Sequence, residues 1–571
     1  MTNKTFTTSP SLFLITTQIL LSIICLVHLL VVTSFFLHSE IPPWLFPATI
    51  AAVIGSHFLF SGKLAIDNKN LLNASFISLL IIAVSLFFSW FYFDFSWDGQ
   101  WYHQAAIYNL VQHWNPMVTP LETPDKLNHT SILHFPKSSW YFAAAVLRLF
   151  GTVEMGKAYN IIALFAAFGI VYTLFRDLTQ SAVRSLVLTV LVLLNPVIWS
   201  EITTYLNDGD LYLFLVTYLA AIILWLRDPK PAYVLIGSMA VICLVNIKFT
   251  GLVFFLGSSF FAFIYILIKK SHFTKKFLLS HLIAGIIAVG IFGFNPYVTN
   301  MLKRGHPLYP VMGSKEFPGV FDKGADDNEA YETPQNMKGK SFPVRLLYAN
   351  FGRPGNAPYN DETEAILSNP FTSDLSSWTA YHFHETRVSG FGPYFGVALV
   401  LLIIALPILL IRGRDLLIPV LVFFAGLICC MALSKHFWWP RFFPMLWLAP
   451  IIPLILLWTG HTLADHRNKA GTIYGWLLAL LIGVNGLIVA VTHMRWETTS
   501  SANLRSELQH IQETKQPIQI DYGWFNRSME EKLKHWDIKY TTGPLSLADT
   551  AVHKLTSVVK GYPNQVLYRV K

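Results

Sequence analysis

Between positions 72 and 93 the chain carries no charged side chain, and runs of this kind recur along most of its length. About twenty consecutive apolar residues are what an α-helix needs to cross the hydrocarbon of a bilayer. Inside that layer, only helices and closed barrels satisfy every backbone N–H and C=O. The runs lack the period-2 alternation of a barrel strand, so the sequence predicts a bundle of membrane helices. The composition agrees: 53% of the 571 residues are hydrophobic and only 13% are charged, with a mean hydropathy of +0.47.

Marking the apolar runs predicts about thirteen spans. They fall near 11–37, 43–60, 72–93, 157–175, 182–200, 209–226, 232–247, 249–268, 277–296, 391–411, 415–433, 441–458 and 473–493. The first run is too long for the apolar segment of a cleavable signal peptide and reads as a first span. If the N-terminus is cytoplasmic, the inside loops carry Lys63 and Lys69, Arg176 and Arg184, Arg227 and Lys230, Lys269 to Lys276, Arg412 and Arg414, and Arg467 and Lys469. That is the bias expected of cytoplasmic loops. The net charge of +9 is therefore read as topology, with no nucleic-acid partner expected. The weakest point is Asn246-Ile247-Lys248, where two spans nearly merge. The four cysteines lie within apolar runs, without metal-ligand spacing, and read as small core residues.

The polar material then gathers on the outer side, in loops over 94–156, 201–210 and 297–390. The division predicted is a transmembrane unit over 1–494 and a small extracytoplasmic α/β domain over 495–571. In that domain 517–521 and 565–570 read as strands, and 505–514 and 527–535 as helices. In the first outer loop, Ile107, Leu110, Val111 and Trp114 recur at helical spacing. This predicts a helix lying flat at the membrane surface, and 138–150 reads as a second.

Carboxylates at the edge of a bilayer are functional candidates because their desolvation is costly. Asp98 and Asp94 end the 72–93 run; the plainer reading is the start of a solvated loop. Gly99 beside Asp98 would let a substrate approach the backbone closely. Asp208-Gly209-Asp210 either ends a helix or grips a divalent cation such as Mg or Mn. Lys137 either snorkels or contacts a phosphate. Lys435 and Arg441 flank His436-Phe437-Trp438-Trp439-Pro440 in a short outer turn that runs against the charge bias, which favours anion binding. Trp97, Trp101, Tyr102 and His103, with Trp438 and Trp439, either line a substrate groove or belong to the interfacial aromatic belt. His382-Phe383-His384 lacks a convincing third ligand, so a zinc site there is rejected. There is no phosphate-cradling glycine loop of the Walker or Rossmann type.

An acidic first outer loop flanked by two surface helices, acids in the next outer loop, many spans and an outer C-terminal domain together resemble the GT-C superfamily of integral-membrane glycosyltransferases. The resemblance covers most of the membrane region by architecture, with residue-level matches in few places. It implies an all-α polytopic fold and transfer of a sugar from a polyprenyl-phosphate donor to an acceptor hydroxyl on a glycan, lipid or protein. It assigns Asp98, with Asp94 as the alternative, as the catalytic aspartate. Lys137 is similar to a phosphate-contacting lysine, and Asp208 and Asp210 to an acidic pair that some members use for a metal. The first loop here carries Asp-x-x-x-Asp rather than Asp-x-Asp, which leaves a metal open. The W-W-D-Y-G signature of oligosaccharyltransferases is absent, so protein N-glycosylation is not expected. The setting implied is the cytoplasmic membrane of a bacterium, with the site facing the periplasm. A transporter, a flippase or a polymerase of lipid-linked glycans is the rival class; a transporter would place its ionisable groups mid-span in repeated halves.

Overall fold

A computed structural model describes residues 11–62, 66–118, 129–269, 274–320, 332–358, 363–369, 371–372, 375–412, 417–432, 436–459, 469–557 and 565–571. Lys435 and the acidic stretch around Asp326, Asp327 and Glu329 lie outside them.

The apolar runs are helical. Their starts are written locally: Asp67 accepts from the N–H of Asn70 at 3.1 Å, and Asn195, followed by Pro196, accepts from Val197 at 3.1 Å. Both satisfy first-turn donors that would otherwise be orphaned. Buried hydroxyls return to the helix, Ser78 to the Ala74 carbonyl and Thr189 to that of Ser185, each at 2.7 Å.

The expected thirteen spans are not realised as such. Among the described residues seven helices are long and apolar enough to cross a membrane: Leu12–Phe36, Asn68–Phe91, Val153–Thr179, Asp208–Arg227, Phe249–Ile268, Thr274–Phe292 and Gly471–Thr514. At the other positions the apolar helices are shorter, such as Leu45–Leu59, Ala182–Leu193 and Pro231–Ile247. An apolar run predicts burial in lipid or in protein equally well, and only length separates the two. The Asp208–Arg227 helix is central, 83% of its span being buried, against 22% for Phe249–Ile268. It packs on Pro231–Ile247 and Ala158–Thr179.

Neither expected surface helix lies on a free surface. Residues Gly99–His103 form a π-turn leading into the helix Gln104–Val111, whose Gln104, Ala106 and Ile107 are buried. Ser138–Phe150 is also a helix, but Trp140, Tyr141 and Ala143 to Val146 are at most 1% exposed. Both amphipathic stripes find protein rather than lipid headgroups.

The C-terminal α/β prediction holds. Strands β1 (Ile518–Asp521), β2 (Tyr540–Thr542), β3 (His553–Leu555) and β4 (Val566–Val570) form one sheet in the order β2-β1-β4-β3. β1 and β2 are parallel, and the helix Asn526–His535 makes the crossover between them. The other two pairings are antiparallel. The 494/495 division falls inside one continuous helix, Lys469–Thr514, whose Leu504, Leu508 and Ile511 share a core with Ile518, Ile520, Phe525 and Met529. Phe93 and Phe95 complete that core. The C-terminal unit is therefore seated on the first outer loop. Gln100 Nε2 donates to the Ser557 carbonyl at 2.6 Å, and Lys532 Nζ donates to Gln104 at 3.2 Å and pairs with Glu154 at 3.6 Å.

Candidate functional site

Asp94 is fully buried and accepts from the Ser96 N–H at 2.8 Å, the Ser96 hydroxyl at 2.6 Å and the Tyr205 N–H at 2.9 Å. It joins the first and second loops, as the Tyr205 hydroxyl does by donating to the Val153 carbonyl. Burial lifts its carboxyl above the usual range, against the pull of Lys157 and Ser96. A Cβ at position 99 would run into the Asp94 carboxylate and the Ser96 hydroxyl. The glycine thus makes room for Asp94, not for a substrate as the sequence suggested.

Asp98 points elsewhere. Its Oδ2 accepts from Arg441 Nη2 at 2.5 Å. The same guanidinium gives Nε to Asp208 Oδ2 at 2.7 Å and Nη1 to Glu385. Asp208 Oδ1 is held by Lys248 Nζ at 2.5 Å. Three carboxylates thus surround two cations, leaving one unit of negative charge. Burial would raise Asp98, but Arg441 outweighs it and holds the carboxyl below its usual value. The cavity beside them is lined by Ser96, Trp97, Asp98, Leu206, His384, Glu385 and Arg441. At about 10 Å³ it has room for a single water.

Behind this cluster, Glu201 Oε2 accepts from the Gly209 N–H at 2.7 Å. Burial, then the nearby Asp208, drives the Glu201 carboxyl well above its usual value. Asp210 shares a small apolar-walled cavity with Glu201 and Asn160. Asp208 and Asp210 therefore do not face a common point: one is taken up by two cations, and Asp210 Oδ2 is buried with no hydrogen-bond partner. The pair does not fit a shared divalent cation.

Lys137 is buried and gives Nζ to the carbonyls of Leu133 at 3.0 Å and Phe135 at 2.7 Å, close to the Trp114 and Trp140 rings. Burial pushes its ammonium well below the ordinary range, which disfavours the charge a phosphate ligand needs. Tyr102 stacks on His103 with centroids 4.2 Å apart. His103 Nδ1 accepts from Trp140 at 2.6 Å, and burial depresses the ring to about 3, so it is neutral. Trp97 and Trp101 face the C-terminal unit, Trp97 against Phe525 at 5.1 Å and Trp101 against Trp524 at 6.0 Å. Trp438 and Trp439 are at most 2% exposed, so they are core residues and offer no open stacking platform.

Sequence reasoning passed over Lys248, Glu385 and Glu201 as site residues. For Lys248 a signal existed: a lysine stranded between two apolar runs needs a partner. It occupies the extended residue (φ −157°, ψ 149°) that separates the helices Pro231–Ile247 and Phe249–Ile268, and from that break it reaches Asp208. Glu385 carried no comparable mark.

No protein-family model matches this chain, and no curated protein or solved structure shows a significant match to it.

Proposed function

We propose that this chain is a membrane glycosyltransferase that moves a sugar from a polyprenyl-phosphate donor to an acceptor hydroxyl. The observation that carries the reading is the meeting of Asp98, Asp208 and Glu385, from three segments far apart in the chain, on the single guanidinium of Arg441. A guanidinium suits a phosphate because its planar fork matches two oxygens at once. In the closed arrangement its donors are occupied by carboxylates. A donor phosphate that takes the Nη edge displaces both Asp98 and Glu385, so that anion binding itself releases the base. The bond between the anomeric carbon and the phosphate oxygen then breaks, its electron pair leaving with the phosphate beside Arg441 and Lys248. The acceptor oxygen bonds to the opposite face of that carbon and its proton passes to Asp98, with inversion. No step is routed through a metal.

A mostly apolar groove of about 410 Å³, lined by Ala83, Leu86, Phe87, Trp90, Phe150 and Met155 with Thr152 and His535 at its polar part, flanks the helix that leads into Asp94 and suits a polyprenyl chain. The charge bias of the loops supports a site on the outer face of a cytoplasmic membrane. Purified protein in lipid nanodiscs, given a panel of labelled polyprenyl-phosphate sugars, tests this. Sugar transfer with release of polyprenyl phosphate is expected. Vectorial movement of an intact lipid-linked glycan, or its polymerisation, would favour the rival class.

A further inference from the structure

The second cluster of chemistry-bearing groups lies behind Glu385. His493 and Glu497 are four residues apart on the long helix, so they project from one face of it. His384 meets them from the polar segment that follows the turn Leu375–His382. Its Nε2 lies 2.5 Å from Glu497 Oε1, and His493 Nε2 lies 3.6 Å from the same oxygen. One ligand atom from each residue falls within 4.8 Å of the others. All three are buried, His493 and Glu497 completely.

The protein's own groups satisfy this cluster only in part: His384 takes one oxygen of Glu497, and the remaining donor atoms are poorly served. Neither ring nitrogen of His493, nor Glu497 Oε2, has a well-formed hydrogen bond, although the Tyr381 backbone and the Thr203 hydroxyl lie beside them. Orphaned buried polar atoms of this kind call for a missing partner. A zinc-like cation bound at about 2.0–2.2 Å from each donor sets tetrahedral ligands about 3.3–3.6 Å apart, so the three atoms need to shift by only a fraction of an ångström to 1–2 Å. Two imidazoles and one carboxylate are a zinc donor set with one position left for water.

We propose that His384, His493 and Glu497 form a binding site for one zinc-class divalent cation. The sequence left His384 without a third ligand because its partners lie more than a hundred residues further on; the fold supplies two. Glu385 follows His384 directly, so a cation bound there pins the segment whose carboxylate engages Arg441. His384 also lines the small cavity beside Asp98 and Arg441, so the cation adjoins that cluster and acts on it by holding this segment in position.

Its test is independent of any transfer assay. Full-length protein purified without chelator should hold about one equivalent of zinc by elemental analysis. After chelation, titration with Co²⁺ alone should give the intense visible bands of a four- or five-coordinate nitrogen–oxygen site. Glu497→Gln and His384→Asn should weaken cobalt binding at least about tenfold, while His382→Asn leaves it unchanged. Because either ligand variant can misfold, the cobalt spectrum of the wild-type protein decides. Protein that is metal-free as isolated and gives only the weak spectrum of hydrated Co²⁺ would overturn the proposal and leave His384 and Glu497 as a hydrogen-bonded pair.

Discussion

Arg441 Nε and Asp208 Oδ2 lie 2.7 Å apart, joining residues 233 positions distant in the chain. Asp208 is 1% exposed at its side chain and Arg441 12%, so the pair sits where solvent does little to screen it. Removing Arg441 strips the cation that Asp98, Asp208 and Glu385 share and leaves Lys248 on Asp208 alone.

Arg441→Ala is accordingly expected to destabilise the protein by about 3–5 kcal/mol. Arg441→Lys preserves charge but cannot bridge three carboxylates, and turnover should fall by about 10²-fold or more. Unfolding followed by thermal shift in detergent separates the two effects. A fully active lysine variant would show that the fork geometry is not used.

Asp98→Asn removes the proton acceptor and should cost about 10²- to 10⁴-fold in rate with little loss of fold. Asp94→Asn should act differently. An amide placed among three hydrogen-bond donors to Asp94 meets at least one of them with another donor. The yield of folded protein should drop while the rate per folded molecule changes less. If the rate effects fall the other way round, Asp94 is the base.

The pH dependence follows from the sign of the Asp98 shift. Its folded value is depressed by Arg441, so the stabilisation from this pair is complete above the unfolded carboxyl value of about 4. It is lost as pH falls through the lower folded value. Wild type should therefore be more stable than Asp98→Asn throughout the neutral range, and the two unfolding curves should converge only in strong acid. A gap between them that closes near pH 6 would contradict the ion pair.

Glu201 has the opposite shift, raised by burial and by Asp208. The raised value favours the protonated form, which a primary amide mimics, and Glu201→Gln can still accept from the Gly209 N–H. Activity within about threefold of wild type is expected, whereas Lys248→Met, which strips Asp208 of its second cation, should lower activity by about 10-fold or more. Side-by-side turnover of the two variants checks this; a dead Glu201→Gln would mean that Glu201 carries charge.

Topology offers a further check. Reporters fused after Arg176 should read cytoplasmic, while those within 310–320 and after Arg495 should read external. Readings on opposite sides of the membrane after Arg495 and within 112–118 would be incompatible with a C-terminal unit seated on the first loop.

Sequence by itself determined the helical membrane class, the polar loops, the C-terminal α/β unit and three of the residues that meet at the site, Asp98, Asp208 and Arg441. Each was visible because its signal is local: an apolar run, a helix cap, or an ion at the edge of a hydrophobic stretch. Which of those ions meet is not local. Lys137 turns back on the Leu133 and Phe135 carbonyls of its own segment, whereas Lys248 and Glu385 join the cluster because segments far apart in the chain meet there. The same holds for the apolar stripes of Gln104–Val111 and Ser138–Phe150. Hydrophobic spacing states that a face must leave water, and only the tertiary structure decides whether lipid or another part of the protein receives it, because burial is rewarded by area and not by partner.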